Sequence, residues 1–165
     1  MKRTAILLAV VLATTGAALA QTETAKPGPK FYRFDFALKE MDGNKALKTR
    51  NYQMMVALNG GTSSIRSGAR VPVVDPRATT YIDVGVNLDV RNPLQMKDGL
   101  EFELVAEVSG TLEGGAQLSK QPMVYQTRWN SRVELELGKP TTVFSSDDPS
   151  SKHQMQLEVT ATPVR

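Results

Sequence analysis

The segment best equipped for chemistry is FSSDDPSSKHQ, residues 144–154, which carries the only histidine of the 165-residue chain, His153. Ser145, Ser146, Asp147, Asp148, Ser150 and Ser151 precede it, so a nucleophile, an acid and a base all occur within one short run. A hydrolytic triad needs these groups to converge in space, normally from separate elements, and closeness in sequence argues against one. Asp-Asp-Pro-Ser-Ser is also a strong turn composition, because short polar side chains bond their own backbone. The segment is read as a turn, and no catalytic residue is assigned. Asp147, Asp148 and His153 are metal-ligating types, but no second histidine and no cysteine joins them, so neither a metal site nor a cofactor is expected.

Other candidates also have a plainer reading. NGGTSSIRSG, residues 59–68, lacks the Gly-Lys-Ser/Thr ending and the strand-to-helix setting of a phosphate-binding loop, and reads as a hairpin turn. Trp129, the single tryptophan, falls on the apolar side of its segment and is expected to pack in a core. Glu101, Glu103 and Glu107 alternate along one face, where Arg128 or Arg132 on a neighbouring strand would offset their mutual repulsion. The chain is therefore expected not to be an enzyme. A hydrolase using the Ser145 to His153 segment remains a lesser alternative.

The compartment is legible at the start of the chain. Lys2 and Arg3 precede an apolar run from Ala5 to Ala13, and Ala18-Leu19-Ala20 supplies the small-x-small pattern of a secretory cleavage site. Cleavage is predicted before Gln21, giving a periplasmic or secreted bacterial protein. The apolar run is well short of the roughly 20 residues that span a bilayer, so no transmembrane helix is expected in the mature chain. Without cysteine, neither a disulfide nor a lipid-modified cysteine is available. Of the formal charge of +3, Lys2 and Arg3 account for two positive charges, and the remaining bases are interleaved with acids. Nucleic acid is not an expected partner.

The elements that must carry these residues have a period of two. QTETAKPGPK, residues 21–30, reads as a flexible lead-in, and residues 31–165 as a single β domain. Tyr32, Phe34, Phe36 and Leu38 alternate with polar residues before Asp42-Gly43, and Tyr52, Met54, Val56 and Leu58 follow, which predicts a first hairpin. Gly68, Pro72 and Pro76 interrupt the next stretch, so only a short edge strand or an irregular excursion is expected there. In TTYIDVGVNLDVRN, residues 79–92, Ile82, Val84, Val86, Leu88 and Val90 share an apolar face opposite Asp83, Gly85, Asn87 and Asp89. NPLQMKDG, residues 92–99, is expected to end that strand with Asn92-Pro93 and Asp98-Gly99. The strand's expected partner runs from Leu100 to Ser109, and Gly85 marks an expected bulge or the close approach of another chain.

Two further alternating segments contain Met123 to Leu137 and Met155 to Ala161. About eight mostly antiparallel strands with frequent turn signals predict an all-β fold, a single β-sandwich or a small barrel-like domain. A small outer-membrane β-barrel is the alternative architecture.

The order of SGARVPVV, TYIDVGVNLDV, DGLEFELVAEVS and QPMVYQTRWNSRVEL resembles the C-terminal secretin domain of type II and type III secretion channels. The corresponding positions are Gly68 and Pro72, Tyr81 to Val90, Phe102 to Val108, and Pro122 with Arg128, over roughly residues 65–137. The resemblance implies an exported, non-enzymatic β domain of the cell envelope whose strands pair between subunits. A homo-oligomer or an envelope or secretion protein is the implied partner.

Overall fold

Alternation of apolar and polar side chains gives each strand one face that must leave water, and two sheets do this by packing those faces together. The computed structural model describes residues 30–75, 77–112, 123–149 and 151–164. The leader, residues 21–29 of the lead-in, Pro76, Pro122 and Ser150 lie outside the described residues. The strands are β1 (Phe31–Asp42), β2 (Lys45–Ala57), β3 (Ser63–Asp75), β4 (Ala78–Gln95), β5 (Gly99–Leu112), β6 (Met123–Glu136), β7 (Thr141–Asp147) and β8 (Gln154–Pro163). Sheet A has the order β2-β1-β8-β7 and sheet B the order β3-β4-β5-β6, and neighbouring strands in both run antiparallel.

The core lies between the two sheets. Sheet A contributes Tyr32, Phe34, Phe36, Leu38, Met54, Val56, Met155, Leu157, Val159 and Ala161, and sheet B contributes Val86, Leu88, Val90, Leu100, Phe102, Leu104, Ala106, Val108, Val133 and Leu135. Phe34 meets Phe102 across the layers edge to face, with ring centroids 5.0 Å apart. At the β6/β7 side, Trp129 stacks on Phe144 at 3.7 Å and so joins the two sheets at their margin. The expected core role of Trp129 takes this form: the ring is partly buried against the core, and its Nε1 is buried without a hydrogen-bond partner among the described residues. The fold is a sandwich of two separate four-stranded sheets around a filled interior, which sets aside the closed barrel.

Two expectations change and a third is refined. The stretch containing Gly68 and Pro72 is not short or irregular: β3 pairs with β4 along its whole length, from Ser63 opposite Val90 to Asp75 opposite Ala78. Proline is tolerated there because an edge strand needs hydrogen bonds on one side only. β4 ends at Gln95, inside the NPLQMKDG stretch expected to end it but past Asn92-Pro93; that pair forms a bulge, with Asn92 at φ 50°, and pairing resumes at Leu94 opposite Glu101. Ile82 and Val84 do not join the core, because β4 pairs with β5 only from Val86 onward.

Phe102 fills the centre of the interior, so Phe102→Ala is expected to lower unfolding stability by about 3–5 kcal/mol. Urea titration checks this: the midpoint should fall while the slope stays unchanged.

Candidate functional site

The outward face of sheet B carries Asp83, Gly85, Asn87 and Asp89 of β4 between the charged residues of β3, β5 and β6. Asp89 is the one buried charged residue among those described. Its carboxylate accepts from Ser64 Oγ at 2.8 Å and pairs with Arg66 Nη1 at 2.6 Å and Arg91 Nη2 at 3.3 Å. Arg91 lies 3.9 Å from Glu103, which also accepts from Asn130 Nδ2 at 3.1 Å, so one polar network crosses all four strands. Burial by itself would raise the Asp89 carboxyl. The hydrogen bonds from Arg66, Ser64 and Arg91, with the charge of Arg66, outweigh it and hold the group below its ordinary value of 3.8.

Neighbouring polar groups on this face are also satisfied across strands. Asn87 Nδ2 donates to Glu107 Oε1 at 3.0 Å, Arg70 pairs with Asp83 at 3.0 Å, and Arg132 pairs with Glu101 at 2.9 Å. Of the two arginines expected to balance the glutamates, Arg132 does so. Arg128 stands opposite Glu107 in register without forming an ion pair.

Gly85 stands where sheet B divides. Beyond Val86 opposite Val108, β4 continues with β3 alone and β5 with β6 alone, so two ribbons diverge. Gly85 N donates to Ser109 Oγ at 3.0 Å at this fork. Its φ is 150°, and a Cβ there would lie 2.1 Å from Ser67 O and 2.4 Å from Gly68 Cα. The expected close approach is real, but it comes from β3 of the same chain, and the β3/β4 register runs through without a bulge. Only glycine fits this crossing of Gly68 and Gly85. An open depression of about 500 Å³ lies over it, bordered by Arg66, Arg70, Asp83 and Asn87.

The Ser145 to His153 segment divides: Ser145, Ser146 and Asp147 end strand β7 and pair with Gln156, Met155 and Gln154 of β8, and only the residues after Asp147 leave the ladder. Asp148 N donates to His153 O at 2.9 Å, Ser151 N donates to Asp148 O at 3.2 Å, and Ser151 Oγ donates to Asp148 Oδ2 at 3.2 Å. His153 Nδ1 lies 2.7 Å from Glu40 Oε1 at the far end of β1, a partner that no local pattern points to. Asp147 pairs through its backbone with Gln154 within the ladder. No three metal-ligating acids or histidines come together among the described residues. The glycines of NGG sit in the passage from β2 to β3, where Asn59 has φ 54° and Gly60 N donates to Ala57 O.

The arrangement of strands has counterparts of known structure. The type II secretion secretin XcpQ of Pseudomonas aeruginosa superposes with a TM-score of 0.54 at 13% identity, covering 83% of this chain and 57% of that one. The Klebsiella pneumoniae type II secretion outer membrane complex of PulD, PulS and the PulC HR domain gives 0.52 at 12% identity, over 83% of this chain and 39% of the other. GspD of enteropathogenic Escherichia coli gives 0.52 at 12% identity, over 83% and 66%. The chain thus has the fold of a secretin domain and spans less than two thirds of these secretin chains. The likeness reaches well past residues 65–137. No family model matches the sequence, and no curated protein matches it.

Acid should loosen the Asp89 network in a defined direction. Because the folded carboxyl titrates below 3.8, its stabilisation is fully present above that pH and is lost as pH falls through the depressed value. Asp89→Asn is expected to cost about 1–3 kcal/mol at pH 7 and to flatten the acid limb of a stability profile measured by urea unfolding from pH 7 to 2. Gly85→Ala should be more damaging than Gly43→Ala. Thermal melting should rank the two in that order, since Gly43 has a positive φ but open space around it.

Proposed function

We propose that the mature chain is an exported, non-enzymatic β domain of secretin type that associates with itself or docks on a protein of the bacterial envelope or secretion machinery. The observation that carries this reading is the secretin fold over 83% of the chain at a TM-score of 0.54. The Klebsiella structure is a type II secretion outer membrane complex of PulD, PulS and the PulC HR domain, which supports a role for this fold in assembly with other proteins. The leader supports export. Among the described residues no helix is long and apolar enough to cross a membrane.

Expression of the full chain with its leader in a Gram-negative host, followed by fractionation and N-terminal sequencing, is expected to recover a protein starting at Gln21 in the periplasm or envelope. Sedimentation of that protein and crosslinking in intact cells should detect a species larger than the monomer. A strict monomer that captures no envelope protein would remove the association, and a cytoplasmic chain still starting at Met1 would remove export.

A further inference from the structure

Each sheet of the sandwich ends in a strand with one free side, and free edges are normally blunted because their unpaired N–H and C=O groups invite another strand. Three of the four edges carry such devices. β2 has Lys45 and Lys48, and a bulge leaves Leu47 as an extra residue between the partners of Glu40 and Met41. β3 contains Pro72, and β7 is only 7 residues long with a register break around Val143. β6 carries charges, Arg128, Arg132, Glu134 and Glu136, but has no proline, no lysine, no register break and no shortening. Its 14 residues pair with β5 without interruption from Glu136 opposite Gly99 to Met123 opposite Leu112.

The charges on β6 complement their own two-fold image. Arg128 and Glu134 are exposed on the same outward face, and neither has an ion-pair or hydrogen-bond partner among the described residues. We infer that β6 pairs antiparallel with β6 of a second copy about a two-fold axis through Ser131, joining two copies of sheet B into one continuous sheet. This rests on the self-association reading and identifies its surface.

The register follows from elimination. An axis between residues would set odd positions against even ones and bring the core side of one strand against the polar side of the other. An axis at Asn130 sets Arg128 against Arg132, and an axis at Arg132 sets that arginine against itself. An axis at Trp129 brings no arginine opposite a glutamate. An axis at Val133 leaves Arg128 beyond the end of the facing strand and shortens the overlap. The axis at Ser131 sets Arg128 opposite Glu134 of the second copy at two symmetric places and Arg132 opposite Asn130. It also sets Trp129 opposite Val133, extending the apolar layer in which Trp129 stacks on Phe144. Such an isologous contact closes on itself and consumes the open edge on both copies.

The test uses the cysteine-free mature protein with one thiol added. Residues directly opposite across an antiparallel pair have Cα atoms about 4.5–5.5 Å apart, within disulfide reach. Mild oxidation should therefore convert Ser131→Cys to a covalent dimer, and should leave Thr49→Cys on the β2 edge largely monomeric. By sedimentation, Arg128→Glu and Glu134→Arg should each weaken dimerisation about tenfold, and the doubly swapped protein should recover it. Circular dichroism of the same proteins establishes that they are folded. An assembly that ignores both charge reversals and gives no Ser131→Cys dimer overturns the β6 interface while leaving self-association standing. A wild-type monomer at every concentration overturns both.

Discussion

The structure depends on sealing two apolar sheet faces against each other, with Phe34 of sheet A set edge to face on Phe102 of sheet B near the middle. Without a cysteine in the chain, no disulfide shares this task. Burial follows the order of the strands. The inner-face positions of β1, β8 and β5 and the middle of β4 are sealed, whereas β2, β3, β6 and β7 lose contact with the interior along part of their length. The apolar faces determine which strands are central. The edges are left free to carry charge, bulges and, on β6, an uninterrupted ladder.

The same economy explains the polar side of sheet B. Asp89 sits where a lone carboxylate would be costly, and Arg66, Ser64 and Arg91 converge on it. The exposed ends of those arginines stay in water, so the network needs little further desolvation. The centre of this face is occupied by its own cross-strand bonds. What the sandwich leaves unpaired lies at the strand edges and along the ribbons that diverge at Gly85.

A secretin-like fold shared at 12–13% identity is physically reasonable for such a construction. A two-sheet core asks for apolar residues at alternate positions, turn residues between them and glycine where two backbones cross. Many sequences meet those demands. The same fold can therefore form from sequences that share few residues, and surface features such as Arg128 and Glu134 on β6 lie outside what the fold requires.

Alternation was readable wherever a strand was buried along one side: Tyr32, Phe34, Phe36 and Leu38, or Met155, Leu157, Val159 and Ala161, needed only a period of two to declare their inner face. The turn character of the residues after Asp147 was equally local, since short polar side chains bond their own backbone. What the sequence could not reveal depended on distant partners. The length of β3 follows from having β4 beside it, which overrides Gly68 and Pro72. The exposure of Ile82 follows from the point where β5 leaves β4, and the partners of His153 and Asp89 come from strands far away in the chain. A one-dimensional pattern states which side of each strand avoids water. Which strands stand next to one another, and where a sheet divides, are settled only when both layers pack, because those outcomes depend on pairwise register and on the space available at each crossing.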